Sequence, residues 1–419
     1  MKTCVFASMI LLLTVSCSGK KETTSSGETE KKSTTKKFVP MNYAQGDDMI
    51  TVSPPNLKDL QRRKKQVSKR AKGKRFKVLN GTVSRLPKFP FQADIVVPGH
   101  FSGVKTIEYA AISSSKVEFV SADGKRVASS QGVATPKFAI AINSAVPNYQ
   151  YLVVASGRGR KTRNAPIVLT VYSVKDGKVS LTTTMNITTS RNDISSLEPR
   201  DGGGFVVGYY VTKYEVQVSE FLPPFKKEIK IKVMKMAGSL NSIISKKHQL
   251  LMVGRLYGDT PGSPGDAWIM ESGKMPEKIP TTRGVRSITT ADVDKNGQYE
   301  IYMGDGWDKN YGQIARALFT KVERNSSGKL VSTKIGELSE DYAIMQIEKC
   351  HMKGSENPVF VLKGNNTIQI AVWKNKWEIT KIADLTSYEK LFCADINDDG
   401  TDEIVISKPY PAVITLGKK

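Results

Sequence analysis

The chain has 419 residues, 39% of them hydrophobic and 8% aromatic, a composition typical of a globular protein that buries a large core. The length alone predicts two or three domains, although a closed all-β fold can use it as a single unit. The net charge of +23 favours anionic partners such as lipid headgroups, acidic glycans or nucleic acid, with a solvated lysine-rich surface as the plain alternative.

Residues 1–17 have the pattern of an export signal, with Lys2 at the start and an apolar stretch over residues 5–15. This stretch is too short to span a bilayer core of about 30 Å. It ends in Leu-Thr-Val-Ser-Cys17, which resembles a bacterial lipobox, and the resemblance implies lipidation of Cys17. Lipoboxes usually carry Leu where this chain has Thr14, so an ordinary signal peptide is the alternative. Either pattern predicts export, and the lipobox implies a lipoprotein of the bacterial cell envelope, anchored at the outer membrane or cell surface.

Residues 18–75 are predicted to form a disordered, basic tether. They begin with Ser, Thr, Lys, Glu and Gly and carry little apolar surface to offset chain entropy. Nine of the fourteen residues in 62–75 are Lys or Arg, a run that can hold a chain against an anionic membrane surface. A solvated linker is the alternative. Nucleic acid is not expected as a partner, because exported proteins meet little of it and no aromatic residues interleave the run.

From residue 76 to 419, short β-rich runs alternate with polar turns, which indicates an all-β sandwich, barrel or propeller. An apolar run recurs seven times at intervals of about 40 to 60 residues, and a four-stranded propeller blade takes roughly 40 to 50. The sequence therefore predicts a β-propeller of seven four-stranded blades, with six or eight blades as the alternatives. Pairing of FKVLNGTVSRL, from Phe76, with the C-terminal AVITLG would close the ring and leave no open sheet edge there. The seven runs are IEYAAIS from Ile107, YLVVASG from Tyr151, FVVGYYV from Phe205, LLMVG from Leu250, EIYMGDG from Glu300, VFVLKG from Val359 and EIVIS from Glu403.

Two turns in this repeat carry oxygen side chains at positions 1, 3, 5 and 9 and Gly at position 6. Ca²⁺ prefers six to eight oxygen ligands, and alternating side chains on a tight loop can all turn inward. A plain Asx-rich turn without an ion is the alternative. The candidate ligands are Asp292, Asp294, Asn296 and Glu300 with the Gln298 carbonyl, and Asp395, Asn397, Asp399 and Glu403 with the Thr401 carbonyl.

The spacing excludes an EF-hand, which needs a bidentate Glu at position 12, where the two turns have Met303 and Ile406. The pattern D-x-[DN]-x-[DN]-G-x-x-E before an apolar strand instead resembles the FG-GAP or VCBS repeat of integrin α-subunits and many bacterial surface proteins. That resemblance implies propeller blades braced by Ca²⁺. The family usually has Asp at position 9, where this chain has the longer Glu300 and Glu403.

Residues 304–312 form a Gly-rich loop with aromatic residues. Trp307 and Tyr311, beside Asp308 and Asn310, are the types that stack on a sugar or a peptide side chain, although such residues often pack a loop onto its neighbour. This loop is the candidate ligand-binding site.

Cys350 and Cys393 are the cysteines of the body of the chain, and their spacing does not suggest zinc. They would pair in an oxidising compartment or remain two buried thiols. Sequence motifs for nucleophilic, zinc-peptidase or phosphate-loop chemistry are absent.

These patterns predict an exported, membrane-tethered binding or scaffold module whose ligand is an acidic glycan or an acidic protein. A polysaccharide lyase or hydrolase on the same scaffold is the alternative, because a carboxylate pair contributed by distant loops leaves no sequence motif. A purely structural envelope component is a third possibility.

Overall fold

A computed structural model describes residues 76–78, 82–85 and 92–416, except 158–164, 201, 213–214, 247–248, 257–265, 272–276, 281–284, 306–316, 339, 342, 354, 386–389 and 408–411. These residues belong to one compact unit, 44–419. They form strands and turns, and none of them lies in a helix that could cross a membrane. The predicted signal (1–17, with Cys17) and tether (18–75) lie outside the described residues.

Twenty-eight strands are assigned within the described residues. Most belong to antiparallel sheets formed by consecutive strands. The strands that precede the first complete sheet are β1 (Phe76–Val78) and β2 (Thr82–Arg85). The first two complete sheets contain β3 (Ile95–Gly99), β4 (Glu108–Ile112), β5 (Lys116–Ser121) and β6 (Arg126–Gln131), then β7 (Pro136–Asn143), β8 (Gln150–Ser156), β9 (Ile167–Lys175) and β10 (Lys178–Ile187).

The third sheet has seven strands, and the fourth has four. The third contains β11 (Asp193–Pro199), β12 (Phe205–Tyr210), β13 (Glu215–Phe221), β14 (Glu228–Lys246), β15 (Gln249–Leu256), β16 (Asp266–Glu271) and β17 (Glu277–Ile279). The fourth contains β18 (Val285–Ala291), β19 (Glu300–Asp305), β20 (Ala317–Arg324) and β21 (Leu330–Leu338).

The last two sheets each recruit one of the N-terminal strands. The fifth contains β22 (Ile344–Cys350), β23 (Val359–Gly364), β24 (Thr367–Trp373) and β25 (Trp377–Leu385), with β1 paired to β25. The sixth contains β26 (Leu391–Ala394), β27 (Glu403–Ile406) and β28 (Ala412–Thr415), with β2 paired to β28.

The first strands of successive units contact one another in a closed series, β3–β7–β11–β14–β18–β22–β26 and back to β3. A ring of antiparallel sheets around a common centre is a β-propeller, as the sequence pattern predicted. Apolar side chains fill the space between neighbouring sheets. In one such layer, the Tyr302 and Phe360 ring centroids lie 4.5 Å apart, and Phe319 meets Trp377 edge-on at 6.0 Å. Burial of these large rings stabilises the contact between the fourth and fifth sheets.

The predicted number of blades is wrong: the described strands form six sheets, and seven were expected. Each of the seven predicted runs does contribute a second strand of a repeating unit (β4, β8, β12, β15, β19, β23 and β27). The third sheet, however, contains two of these units. Its 19-residue strand β14 pairs with β13 over its first half and with β15 over its second half, so a single blade of seven strands replaces two.

Two long-range links hold the last two sheets in place. β2 pairs antiparallel with β28, in the register Thr82↔Thr415 to Arg85↔Ala412, which confirms the predicted ring closure. Separately, Cys350 at the end of β22 forms a disulfide with Cys393 in β26, with the Cα atoms 5.3 Å apart. Of the two alternatives left open by the sequence, the structure has the paired one, and the bond ties the fifth and sixth sheets together.

Candidate functional site

The two predicted calcium turns occupy the same place in their sheets. Residues 292–300 join β18 to β19, and residues 395–403 join β26 to β27. In both turns the fourth and sixth residues have positive φ: Lys295 and Gly297 in the first, Asp398 and Gly400 in the second. The left-handed conformation suits Gly and produces the tight bend that turns side chains inward. Two segments 103 residues apart therefore share one backbone conformation.

Side-chain oxygens hold the backbone N–H groups of the first turn. The Gly297 N–H donates to Asp292 Oδ2 at 2.9 Å, and the Asn296 N–H donates to Asp294 Oδ1 at 3.2 Å. The Gln298 N–H donates to Asn296 Oδ1 at 2.7 Å. The acidic side chains that the sequence singled out thus converge on one side of the loop, and part of their capacity is used by the loop itself.

Two carboxylate oxygens of the first turn are buried without a hydrogen-bond partner among the described residues: Asp292 Oδ1 and Glu300 Oε1. Glu300 Oε2 accepts from the Val293 N–H at 3.0 Å, and Lys321 Nζ lies 3.9 Å from Oε1. Glu300 is 4% exposed, and burial raises the pKa of its carboxyl. Burial of a carboxylate oxygen without a hydrogen-bond donor costs free energy, and a bound cation is one partner that removes this cost.

The carboxylates of the first turn fit a calcium ion. One ligand oxygen from each of Asp292, Asp294 and Glu300 lies within 4.8 Å of the others. Oxygens on opposite sides of Ca²⁺ are about 4.6 to 5.2 Å apart, twice the usual bond length. Hard oxygens, two of them lacking hydrogen-bond donors, are the donor set that Ca²⁺ prefers. The fit to Ca²⁺ therefore rests on the spacing of these three carboxylates and on their two oxygens without hydrogen-bond donors.

The second turn repeats these backbone contacts. The Gly400 N–H donates to Asp395 Oδ2 at 2.8 Å, and the Thr401 N–H donates to Asp399 Oδ1 at 2.9 Å. It also docks on the neighbouring sheet: the His351 N–H donates to Asp402 Oδ2 at 2.6 Å. Burial raises the pKa of Glu403, whose Oε2 accepts from the Ile396 N–H at 2.9 Å.

A third turn, which the sequence analysis did not predict, has the same contact between a backbone N–H and the glutamate seven residues later. In residues 100–108, the Phe101 N–H donates to Glu108 Oε2 at 2.9 Å, as Val293 and Ile396 do to the glutamates seven residues after them. Its fourth residue, Gly103, also has positive φ. Here the Ser102 hydroxyl donates to Glu108 Oε1 at 2.6 Å. The glutamate at position 9 therefore has a structural role of its own, with or without acids at the other positions.

The predicted ligand-binding residues Trp307, Asp308, Asn310 and Tyr311 lie outside the described residues.

A group of charged side chains that the sequence did not reveal comes from the first strands of two sheets that are not neighbours. Glu348 on β22 and Glu198 on β11 are close enough to interact electrostatically, and Lys390, beside β26, acts on both. Since the first strands line the centre of the ring, we place these side chains there. Gln346 Nε2 donates to Glu348 Oε1 at 2.5 Å and to the Leu391 carbonyl at 2.9 Å.

Burial raises the pKa of Glu348 to about 7, and the neighbouring Glu198 adds to the effect. Burial also raises the pKa of Glu198, while Lys390 opposes the rise. A carboxyl that titrates near neutral pH can accept or donate a proton. The sequence gives no signal for this group of charged residues, because Glu198 and Glu348 are about 150 positions apart and come near each other only in the folded ring.

Comparison with known proteins supports the fold and goes no further. No protein-family model matches the chain, and no curated protein matches its sequence. A solved structure of BBS1N in complex with ARL6DN, soaked with lead, is similar with a TM-score of 0.50 and 10% identity, over 82% of this chain and 98% of that one. The Saccharomyces cerevisiae Sqt1 structure gives a TM-score of 0.48 and 10% identity, over 82% and 100%. The chain is therefore a β-propeller, and the resemblance to FG-GAP repeats rests on the turns themselves.

Proposed function

We propose that the chain is an exported, membrane-tethered binding scaffold whose propeller is stabilised by calcium. The observation that carries the calcium proposal is the pair of buried oxygens, Asp292 Oδ1 and Glu300 Oε1, that lack hydrogen-bond donors beside Asp294. A bound Ca²⁺ would satisfy both and would offset the repulsion between three carboxylates. Its role would be structural, because the turn joins two neighbouring strands of one sheet.

Several features support the remaining parts of the proposal. The two turns resemble FG-GAP or VCBS calcium loops in their residues, and their shared backbone conformation is consistent with that family. The Cys350–Cys393 disulfide suits an oxidising compartment outside the cytoplasm. Cys17, in its lipobox-like context, would carry the lipid anchor, and the bacterial cell envelope would be the location. The similar BBS1N structure was solved in complex with ARL6DN, a precedent for the use of this fold in binding.

The net charge of +23 favours an acidic ligand, either a glycan or a protein surface. The Gly-rich segment with Trp307, Asp308, Asn310 and Tyr311 is the proposed contact region, since its aromatic residues suit stacking on a sugar or a peptide.

Thermal unfolding of the full chain, in EDTA and then with Ca²⁺ at about 100 times its dissociation constant, tests the calcium proposal. Binding to the native state alone contributes about 2.7 kcal/mol at that ratio, which raises the melting temperature by several degrees. Asp292→Ala should abolish most of this increment.

Asp123→Ala is the matched control, because Asp123 also accepts from nearby N–H and O–H groups in an exposed turn but has no part in the acidic loops. It should leave the calcium increment intact. If the wild-type melting temperature does not change when Ca²⁺ is added, residues 292–300 form an ordinary turn and the calcium part of the proposal is wrong.

A second candidate function is acid–base cleavage of a polysaccharide, favoured by the Glu198–Glu348 pair at the centre of the ring. Glycoside hydrolysis uses two carboxyls that flank the scissile bond, and the raised pKa of Glu348 suits the one that acts as general acid. Incubation of the full chain with acidic polysaccharides, followed by chromatography of the products, tests it. Turnover that is lost in Glu348→Gln and retained in Asp292→Ala would establish catalysis, and no turnover of any substrate would leave the binding scaffold as the function.

A further inference from the structure

The large hydrophobic side chains that remain exposed are gathered at one face of the ring. In a sheet of consecutive antiparallel strands, the turn between the first and second strands and the turn between the third and fourth strands lie at the same end. We call the side of the ring that carries both kinds of turn the upper face. Among the side chains whose exposure the structure describes, six large hydrophobic ones are at least 36% exposed, and each lies in an upper-face turn or within four residues of one: Val104, Val146, Leu181, Ile229, Tyr299 and Trp373.

Contacts between neighbouring sheets show that the first-to-second turns form one continuous surface. Four links join the fourth sheet to the fifth, the fifth to the sixth, the sixth to the first and the first to the second. In that order they are Lys295 Nζ to Glu356 Oε2 at 2.7 Å, the His351 N–H to Asp402 Oδ2 at 2.6 Å, Lys105 Nζ to Asp398 Oδ2 at 3.8 Å and the Gln150 N–H to the His100 carbonyl at 2.7 Å. The upper face is therefore a single surface around much of the ring.

The outer rim of the upper face, formed by the third-to-fourth turns, is basic. The structure describes five of these turns, and with one residue on either side they contain ten Lys or Arg and three Asp or Glu. Lysines also lie close to the exposed apolar side chains of the rim. Within three residues in the chain, Lys178 lies near Leu181, Lys227 near Ile229 and Lys374 beside Trp373.

Trp373 is held in its exposed position by the fold. It lies opposite Trp377 in the ladder between β24 and β25, with the ring centroids 5.4 Å apart, and Trp377 packs against Phe360 at 5.7 Å. The turn between the two tryptophans is closed by the Lys374 N–H, which donates to the Lys376 carbonyl at 2.9 Å. An indole ring and two lysines are therefore fixed at the tip of a hairpin. Trp and Lys together suit a membrane–water interface, where the ring lies among the headgroups and the ammonium group lies near the phosphates.

We propose that the upper face binds an anionic lipid bilayer through the second, third, fourth and fifth sheets. Five of the six exposed hydrophobic side chains belong to these four sheets, and they are spread along the face, whereas a protein-binding hot spot is a central, contiguous cluster. A planar surface can contact all of them at once, and separate apolar tips with basic neighbours are typical of proteins that bind at a membrane surface. The sixth sheet takes no part, because its turn at 395–402 has four Asp and no exposed large hydrophobic side chain. The inference rests on the membrane location in the proposed function and adds the surface that makes the contact.

The predicted tether is compatible with this orientation. β1 pairs with β25 in the register Phe76↔Leu385, and Leu385 is at the end of β25 remote from Trp377, so the chain enters the ring at the lower face. A flexible linker as long as residues 18–75 has a root-mean-square length of about 40 Å, and a strand of nine residues spans about 30 Å. A lipid anchor alone therefore holds neither face to the membrane, and contacts of the propeller decide the orientation.

Hydrogen exchange of the full chain, with and without lipid vesicles, tests the proposal. The chain carries Cys17→Ser, which removes the lipidation site, and the vesicles contain equal parts of phosphatidylglycerol and phosphatidylcholine. Exchange should slow in the upper-face segments 176–181, 222–229 and 373–377 and should not change in the lower-face turns 113–115 and 365–366. Vesicles of phosphatidylcholine alone should protect the upper face less, because they lack the negative charge that attracts the lysines.

Lys376→Glu and Lys137→Glu form a matched pair for co-sedimentation with the anionic vesicles. Both lysines are exposed, but Lys137 lies at the lower-face end of β7. Lys376 is preferred to Lys374, which already lies 3.5 Å from Glu378. A lysine near anionic headgroups strengthens binding about fivefold, so Lys376→Glu should weaken it at least about fivefold, and Lys137→Glu should weaken it less than about twofold. Trp373→Ser should also weaken binding several-fold.

The outcomes separate the inference from the proposed tether. Equal weakening by Lys376→Glu and Lys137→Glu, or protection confined to residues before 76, would overturn docking by the upper face. Protection of the upper face by soluble polygalacturonate and not by vesicles would also overturn it and would assign the rim to the proposed acidic ligand. Membrane fractionation of bacterial cells tests the tether by itself: wild type should sediment with the membranes, and its absence from them would defeat the anchor even if vesicles protect the upper face.

Discussion

Asp341, in the connection between β21 and β22, is a carboxyl buried entirely within the protein. It accepts hydrogen bonds from the Asn366 N–H at 2.6 Å, the Thr367 N–H at 3.2 Å and the Thr367 hydroxyl. These contacts hold the turn between β23 and β24. Gly364 in β23 is required here, because a Cβ atom would lie 2.1 Å from Asp341 Cγ.

Burial raises the pKa of Asp341 to about 6 from 3.8, in spite of its hydrogen bonds. The native state therefore binds the proton more tightly than the unfolded chain does. The stabilising contribution is fully present below about pH 4 and is lost as the pH rises through about 6. As the pH rises from 4.5 to 7.5, deprotonation of this carboxyl should lower the free energy of unfolding by on the order of 1 to 2 kcal/mol.

Asp341→Asn should remove this pH dependence, since an amide does not titrate. We expect the difference in melting temperature between pH 4.5 and pH 7.5 to shift by a few degrees relative to wild type, with wild type favoured more at the lower pH. Scanning calorimetry at the two pH values measures it. Asp123→Asn, at an exposed turn, should leave the difference unchanged. An identical pH response in wild type and Asp341→Asn would assign the titration to another group.

At this scale the sequence is informative about local patterns only. The ligand pattern of Asp292, Asp294 and Glu300 could be recognised because the residues lie within nine positions, and they do converge. Asp341 and Glu348 owe their chemistry to segments far along the chain, so their burial and shifted pKa values have no local signal.

The strands and turns were more predictable than the residues, because their signal is the alternation of apolar runs and polar turns. Every predicted run became the second strand of a unit, an internal strand that is hydrogen-bonded on both sides within its sheet. β12, for example, is buried over its full length. The first and fourth strands are less regular, and outer strand β10 is mostly exposed, so they gave no recognisable repeat.

The error in the number of blades also arises at the level of elements. β14 passes from one unit into the next without a turn, so two units share it. A count of second strands cannot detect such sharing, since the run from Phe205 and the run from Leu250 look alike in the sequence. The turn at residues 100–108 was overlooked for a related reason: it makes the same backbone contact to Glu108, but it has His100 and Ser102 at the first and third positions and so lacks the acidic pattern.

Two pairings join strands near the N-terminal end of the described residues to the last two sheets of the ring. β2 supplies the fourth strand of the sixth sheet by pairing with β28, and β1 adds a fifth strand to the neighbouring sheet. Ile414 in β28 is buried, as are Ile404 and Ile406 in β27. Without β2, the edge of β28 would be open to solvent and to other chains, which is a known route to association.

Removal of residues 1–91, which takes away β1 and β2, should therefore destabilise the propeller as a unit. Four residue pairs of the β2–β28 ladder would be lost, at roughly 0.5 to 1.5 kcal/mol for each hydrogen bond, and the cost should total several kcal/mol. We expect the melting temperature to fall by at least several degrees and the chain to self-associate through the exposed edge. Calorimetry and light scattering after size-exclusion chromatography measure the two effects.

Removal of residues 1–75 is the matched control, since it leaves both strands in place. This shorter deletion should have the same melting temperature as the full chain and should self-associate no more than the full chain does. Equal melting temperatures and equal dispersion for the two deletions would show that the β2–β28 pairing contributes little. The contacts between β26 and β3 would then be the interaction that closes the ring.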